Sequence, residues 1–332
     1  MSEMNPPTTA LSWAQEWKSL APRQRQGYRR CLVYLGILTL LFVKPLASLA
    51  VYVCGTDLHS HILLVPFVCG YLLSIRRAEL PRQLQKSPGL AAALAIVGVG
   101  AVVAQGLIQG GPSPWSLNDH LALMTLGFVC LALAGGFLFL GRRWMWAALF
   151  PACFLFFLIP LPDAWAANLE TASQRATAEV VEVFFRMTGM PYVREGVVFQ
   201  LVGIKIQIAQ ECSGIRSSWV LFITSLLAAN VFLTSGWRRA LLVLAVIPLG
   251  LLRNAFRILV IAWLCVDVGP HMIDSYIHHH GGPIFFAASM VPFVLLLGWL
   301  RRRETSAAKN SNLSDDDRSA ETPSCCAGPS VN

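Results

Sequence analysis

Long runs of apolar residues follow one another along the chain, separated by short polar stretches. Within each run the apolar residues are nearly continuous and are not confined to one helical face. A helix that crosses a bilayer core needs roughly 20 mostly apolar residues. The runs that meet or approach this length lie at 31–53, 60–75, 88–109, 120–141, 144–163, 213–235, 240–266 and 283–300. The pattern therefore predicts an all-α fold class, a polytopic transmembrane helical bundle of about eight spans.

One polar stretch is much longer than the others and covers residues 164–212. Its first part, Trp165 to Met187, repeats apolar residues at three- or four-residue spacing, as an amphipathic helix does. The predicted apolar face runs through Leu169, Ala172, Ala176, Val180 and Phe184. Its last part, Gly196 to Ala209, alternates apolar and polar residues, as β-strands do. We expect this loop to carry an amphipathic helix and a short hairpin that lie against the membrane.

The composition agrees with a membrane domain, because 55% of the residues are hydrophobic and only 13% are charged. Such a chain is too apolar for an ordinary soluble domain. We expect residues 1–30 to form a cytoplasmic N-terminal segment and residues 31–303 to form the transmembrane domain. Residues 304–332 are rich in Ser, Asn and Asp, which predicts a disordered cytoplasmic tail.

The formal net charge of +8 could indicate a nucleic-acid partner. The arginines, however, lie in short clusters at the ends of apolar runs and not along one basic face, so we expect the lipid bilayer, and no nucleic acid, as a partner. In an eight-span arrangement every cluster falls on one side, which the positive-inside rule makes cytoplasmic together with both termini. The clusters are Arg25 with Arg29 and Arg30, Arg76 with Arg77 and Arg82, Arg142 with Arg143, Arg238 with Arg239, and Arg301 to Arg303.

All seven histidines fall on the opposite, non-cytoplasmic side, in loops or at the ends of spans. They are His59, His61, His120, His271, His278, His279 and His280. The long loop 164–212 lies on the same side. Most of the unusual polar residues are therefore expected to gather on one face of the membrane.

A reactive cysteine is indicated at the end of the long loop. The cysteines show neither a CxxC motif nor a disulfide spacing, and Cys69, Cys130 and Cys153 lie within apolar runs, where a thiol packs as a small hydrophobe. Cys212 instead has polar neighbours at the mouth of a span, and Arg216 follows one helical turn later. A nearby cation favours the thiolate, which is the nucleophilic form of cysteine. The alternative is a packing cysteine beside an arginine that has no chemical role.

Two arginines, Arg253 and Arg257, lie four residues apart on one face of the seventh predicted span. Arginine inside a span is costly and commonly functional. At 1.5 Å per residue counted from Cys265, Arg257 is roughly 12 Å deep and Arg253 roughly 18 Å deep. We expect Arg257 to approach Cys212 in the outer leaflet. For Arg253 we expect a snorkelling side chain or an internal ion pair.

The loop from Asp274 to Gly282 opens the eighth predicted span and contains three adjacent histidines, His278 to His280. A histidine there suits general acid–base chemistry, because imidazole titrates near neutrality. Three histidines also suit a metal ion, but consecutive residues rarely all point at one ion and no second ligand pair at helical spacing is obvious. We therefore predict no metal and no cofactor. A plain solvated loop is the remaining alternative.

These segments resemble the motifs of the exosortase/archaeosortase family of membrane-embedded cysteine enzymes, and the resemblance covers roughly residues 45–290. The family's Cys-Ser-Gly-(Leu/Ile)-Arg motif is similar to Cys212 to Arg216. Its Asn-x-x-Arg motif is similar to Asn254 to Arg257. Its histidine, four residues before a glycine, corresponds to His278 with Gly282.

The resemblance implies a membrane cysteine endopeptidase or transpeptidase that cleaves C-terminal sorting signals of the PEP-CTERM type from exported proteins. It implies Cys212 as the nucleophile, Arg257 as its cation and His278 as the acid–base residue, with His279 and His280 open as alternatives to His278. The residues then expected to support catalysis or contact substrate are Arg216, Asn254 and His280. The enzyme would lie in the bacterial inner membrane, with its active site on the periplasmic side and membrane-anchored proteins as substrates. Hydrolysis and transfer to a second nucleophile both stay open.

Two other functions stay open on the residues alone. A multi-span transporter could use the intramembrane arginines as an anion path and the histidines as a proton relay. No internal repeat of the kind common in transporters is visible, however. A metal-dependent membrane protease would instead use the adjacent histidines as ligands.

Overall fold

The computed structural model describes residues 21–56, 59–81, 84–109, 115–201, 203–208, 215–269, 271 and 282–320. These residues are mostly helical. The chain divides into two compact units, Met1–Ala166 and Ala167–Asn332.

The first unit consists of helices formed by the apolar runs, with short 3₁₀ turns between some of them. The α-helices are α1 (Pro22–Leu41), α2 (Val43–Cys54), α3 (Val65–Ile75), α4 (Pro88–Gln109), α5 (Leu117–Phe139), α6 (Arg142–Ala147) and α7 (Leu149–Phe154). The 3₁₀ turns are Ser60–Leu64, Arg77–Glu79 and Leu155–Leu158. Helix α8 (Asp163–Thr188) continues from this unit into the second.

Glycines allow α4 and α5 to pack closely. A Cβ atom on Gly98 would lie 3.0 Å from the carbonyl oxygen of Gly127, and one on Gly127 would lie 3.1 Å from the carbonyl oxygen of Gly98. Small residues permit such backbone contact between helices in a membrane, where apolar burial alone gives little driving force.

The second unit combines α8 with a small sheet and three further helices. The strands are β1 (Tyr192–Glu195), β2 (Val198–Leu201) and β3 (Ile204–Gln207), which form an antiparallel sheet in the order β1-β2-β3. The helices are α9 (Ile215–Phe232), α10 (Gly236–Asp267) and α11 (Gly282–Ala320). One apolar core joins α8, the sheet and α10, and it contains Phe185, Phe199, Ile208 and Ile258.

The described residues contain four helices long and apolar enough to cross a membrane: Pro88–Ile108, Leu117–Phe139, Gly236–Asp267 and Gly282–Ser306. The number rises to six if each of two bent pairs counts as one span. These pairs are α1 with α2, bent by 70°, and Leu149–Leu158 with Asp163–Thr188, bent by 96°. Ser60–Ile75 and Ser217–Phe232 are shorter apolar helices. The protein is therefore a mostly helical membrane protein with four to six candidate spans.

The apolar run predicted at 144–163 differs most from one continuous helix. It is divided into α6, α7 and the 3₁₀ turn that follows. Pro151, Pro160 and Pro162 fall in this run. Proline lacks a backbone N–H and disfavours helical geometry in the residue before it, so an unbroken helix is not formed here.

The long loop contains the amphipathic helix and the hairpin that its pattern predicts. The helix is α8, and the hairpin is β2 with β3. The sequence did not indicate β1, which adds a third strand beside β2. Six charged residues lie along α8: Asp163, Glu170, Arg175, Glu179, Glu182 and Arg186. We therefore treat α8 as a helix outside the membrane-spanning segments.

The last helix extends into the tail that we expected to be disordered, since α11 continues to Ala320. The carboxylate of Glu304 accepts hydrogen bonds from the backbone N–H groups of Thr234 (3.1 Å) and Ser235 (2.7 Å) and pairs with Arg238 at 3.4 Å. These contacts fix α11 just past the apolar segment, and a helix that is already nucleated extends at little cost. This helical stretch differs from the disorder expected at the start of the tail, and a cytoplasmic tail over residues 304–332 stays a prediction.

Candidate active site

The structure describes part of the predicted site. Arg257 and Asn254 lie on α10, and the backbone of Arg216 belongs to the first turn of α9. Cys212, His278 and His280 lie outside the described residues.

The chain is fixed on both sides of the Cys212 segment. Before it, Ile208 is buried in the core of the second unit and its N–H donates to the carbonyl oxygen of Val197 at 3.0 Å. After it, α9 begins at Ile215 and packs along α10. Only six residues, 209–214, connect these two fixed points.

Asn254 connects α10 to α8 inside the core. Its side chain is 3% exposed, and Nδ2 donates to Oγ1 of Thr177 at 3.3 Å. Thr177 has no exposed surface. A polar pair in an apolar core is costly unless both partners are bonded, so this contact specifies one position of α8 on α10. Asn254 therefore has a structural contact one helical turn before Arg257.

Thr177 is a site residue that sequence reasoning missed. The predicted apolar face of the helix ran through Ala176, Val180 and Phe184, whereas the buried stripe runs through Thr177, Val181 and Phe185. The stripe is shifted by one residue, which brings a threonine to its centre. A single threonine among alanines and valines does not reveal from the sequence that it lies on the buried face.

Arg253 lies deeper in the packed helices than Arg257. Its side chain is buried, with 9% of the residue exposed, and Nη2 donates to Oγ of Ser218 on α9 at 3.1 Å. Its guanidinium carbon lies 6.0 Å from the ring centroid of Phe286 on α11. A snorkelling side chain would be exposed at its end, so this part of the expectation for Arg253 was wrong.

Arg257 is half-buried and lies on the same side of α10 as Asn254 and Arg253. A cation in a largely apolar setting acts strongly on nearby negative charge, because the local dielectric constant is low. Arg257 can therefore supply a positive charge to a thiolate or an oxyanion.

A network of charged residues holds β1 against α8. Arg194 donates to Oε1 of Glu179 at 2.6 Å and also to Glu182. Arg186 donates to the hydroxyl of Tyr192 at 3.0 Å, and this hydroxyl donates to Glu182 at 3.1 Å. The hydrogen bonds from Arg194 lower the pKa of Glu179 and of Glu182, so both are ionised at neutral pH. The network fixes the start of the sheet that leads to Cys212.

A second polar cluster lies in the first unit. The backbone N–H of Asp163 donates to Oδ1 of Asp119 at 2.9 Å, and Nδ2 of Asn118 donates to Oδ1 of Asp163 at 2.7 Å. His59, in the loop before the first 3₁₀ turn, is 5% exposed. Burial lowers the pKa of His59, although Asp163 acts in the opposite direction. Burial, and not the neighbouring carboxylate, therefore favours the neutral form of His59.

Among the residues with described positions, no group of three or more His, Cys, Asp or Glu side chains is arranged to hold a metal ion. The loop with His278 to His280 is not among them.

The family model for transmembrane exosortases matches residues 54–295. The chain belongs to the transmembrane exosortase family. Membership supports a general role as a membrane transpeptidase or protease. The matched range contains the Cys212, Arg257 and His278 segments. Searches of curated proteins and of solved structures give no match.

Proposed function

We propose that this exosortase is a cysteine endopeptidase or transpeptidase that cleaves C-terminal sorting signals of the PEP-CTERM type from exported proteins. The observation that carries the proposal is the placement of Arg257, a half-buried cation on α10 beside a fixed Asn254. Both residues match the family motif. A cation there is what a thiol nucleophile and a developing oxyanion require.

In the proposed reaction the thiolate of Cys212 attacks the carbonyl carbon of the scissile peptide. Arg257 stabilises the thiolate or the oxyanion. His278 gives a proton to the leaving amine as the C–N bond breaks, which leaves a thioester on Cys212. Attack by water then gives hydrolysis, and attack by a second nucleophile gives transfer. Arg216 and His280 are proposed to support these steps or to contact substrate.

The proposed setting is the bacterial inner membrane, with eight spans and both termini in the cytoplasm. The transmembrane domain is proposed to cover residues 31–303. The Cys212, Arg257 and His278 segments then meet at the periplasmic side, where the scissile bond of a membrane-anchored substrate is accessible. Such a substrate would enter laterally between helices.

The test is replacement of the nucleophile in the full-length protein, with substrate size on a gel as the measurement. Cys212→Ala and Cys212→Ser should abolish processing. Cys69→Ala and Cys130→Ala are matched controls within apolar segments, and Cys325→Ala is a control in the tail; all three should retain processing. Processing that survives in Cys212→Ala would rule out the thiol mechanism.

A further inference from the structure

Arg253 contacts two of the helices that pack on α10, namely α9 and α11. Its guanidinium group donates to Ser218 on α9 and lies over Phe286 on α11. Ser218 follows Cys212 by six residues, and Phe286 follows His278 by eight. One buried side chain on the helix of Arg257 thus contacts the helices that begin just after the other two proposed catalytic segments.

Gly250 allows the close contact that this arrangement requires. A Cβ atom at Gly250 would lie 2.7 Å from Oγ of Ser218, closer than real side chains come. Gly250 and Arg253 are three residues apart and lie on the same side of α10. The backbone at Gly250 therefore contacts Ser218, and Arg253, one helical turn later, donates a hydrogen bond to it.

The combination fixes α9 more strongly than apolar packing would. Apolar surfaces of two helices can slide or rotate with small losses, whereas a hydrogen bond to a charged donor depends on distance and angle. In a buried setting little water competes for the donor. The depth and the rotation of α9 relative to α10 are therefore specified at Ser218.

We propose that Arg253 is a positioning residue, which with Gly250 and Ser218 sets the register of α9 on α10 and thereby the placement of Cys212 beside Arg257. The inference rests on the proposed function, in which those two residues act together. A misplacement of about 1 Å at a reacting group can cost on the order of a hundredfold in rate. Arg253 acts through this placement and does not contact the substrate.

The experiment uses full-length protein in membranes with two measurements on each variant. The first is kcat and KM for substrate cleavage. The second is the rate at which a maleimide alkylates Cys212, determined by peptide mass spectrometry with the exposed Cys54 and Cys153 as internal references. The variants under test are Gly250→Ala, Ser218→Ala, Arg253→Met and Arg253→Lys.

Two matched controls distinguish a change in the register of α9 on α10 from the general effect of adding a methyl group or removing a hydroxyl group. Gly298→Ala adds the same methyl group on α11, where a Cβ atom has nothing within 4 Å. Thr224→Ala removes a hydroxyl from α9 that bonds only within its own helix, to the carbonyl oxygen of Val220 at 2.8 Å. Both controls should match the wild type in kcat and in the alkylation of Cys212.

We expect Gly250→Ala and Arg253→Met to lower kcat by about a hundredfold and Ser218→Ala to lower it by about tenfold, with little change in KM. Alkylation of Cys212 should slow in parallel while Cys54 and Cys153 react as before. Arg253→Lys should recover part of the loss, since an ammonium group can still donate to Ser218.

Wild-type kcat and wild-type alkylation of Cys212 in Ser218→Ala, the mildest variant and the one expected to accumulate normally, would overturn the proposal. The proposal would also be overturned if a lower amount of protein in the membrane fully accounted for the losses in cleavage and in alkylation of Cys212. The alkylation rate does not require turnover. If Cys212→Ala still processes substrate, the proposed function fails, while the alkylation data still report whether Arg253 sets the register.

Discussion

At the scale of single residues, the two arginines of α10 have different surroundings although they lie one helical turn apart. Arg253 is buried and bonded to Ser218, whereas Arg257 is half-buried. The difference agrees with a positioning role for the first and a chemical role for the second. The sequence alone ranked the two arginines by depth and by the Asn-x-x-Arg resemblance, without the contacts of either.

Replacement of Arg257 should remove activity without removing the protein. We expect Arg257→Ala and Arg257→Lys to lower kcat by on the order of a hundredfold or more, as loss of an oxyanion donor does. Lysine should rescue poorly because it lacks the planar fork of donors. Cleavage kinetics at equal membrane levels measure the effect. Arg253→Lys is the comparison and should retain clearly more activity; equal losses at both positions would indicate a structural arginine pair.

The buried pair of Asn254 and Thr177 should contribute to stability. Thr177→Val keeps the shape of the side chain but removes the acceptor for Nδ2 of Asn254. A buried amide left without its partner costs about 1–3 kcal/mol, so the midpoint of thermal unfolding in detergent should fall.

The control for that change is Thr171→Val on the same helix, where an exposed hydroxyl bonds to the carbonyl oxygen of Ala167 at 2.9 Å. This variant should unfold at the wild-type midpoint. Equal midpoints for Thr177→Val and Thr171→Val would mean that the contact between α8 and α10 does not depend on this hydrogen bond.

At the scale of elements, the sheet depends on the charged network around Arg194. The carboxylates of Glu179 and Glu182 have a pKa lowered by Arg194 in the folded protein. Their contribution to stability is therefore present above the ordinary carboxyl pKa of 4.5 and is lost as the pH falls through the lower folded pKa. Because Glu179 is exposed, salt should weaken its part of the effect.

Arg194→Met should loosen the sheet already at neutral pH. We expect faster amide hydrogen exchange in residues 192–208 of the variant than in the wild type, and a smaller further change on acidification. Arg175→Met, the same substitution at an exposed arginine on α8, should leave exchange in the sheet unchanged. Exchange that is equally slow in both variants would show that apolar packing alone holds β1.

The elements illustrate which parts of the fold the sequence can predict. Helix α8 and the β2–β3 hairpin were predictable because each repeats a simple period over enough residues. Strand β1 has two apolar residues followed by two charged ones, so it shows no alternation of apolar and polar residues. The shift of the buried stripe of α8 to Thr177 depends on contacts with α10, which lies far along the chain. The motif residues Asn254 and Arg257 were recognisable, but the role of Arg253 required the positions of Ser218 and Phe286.

At the scale of the whole molecule, the positions of the described helices agree with the predicted apolar runs. The number of continuous spans does not reach the predicted eight. Each of the predicted runs contains a helix, yet only four are long and apolar enough alone. The remaining predicted runs form bent helix pairs or short helices. Bent or broken helices are tolerated in membranes where neighbouring helices satisfy the freed backbone groups.

The eight-span arrangement predicts which loops face away from the cytoplasm: residues 110–119, 164–212 and 267–282. Its basis is that the arginine clusters alternate with these loops along the chain. Reporter fusions measure the side directly. A fusion at Gly196 is well suited, since this glycine lies in the turn between β1 and β2 and a Cβ atom there meets nothing within 4 Å. We expect a periplasmic signal from Gly196 and a cytoplasmic signal from a matched fusion after Arg303. A cytoplasmic signal at Gly196 would reverse the side of the sheet, and with it the proposed periplasmic placement of the Cys212 segment that follows β3.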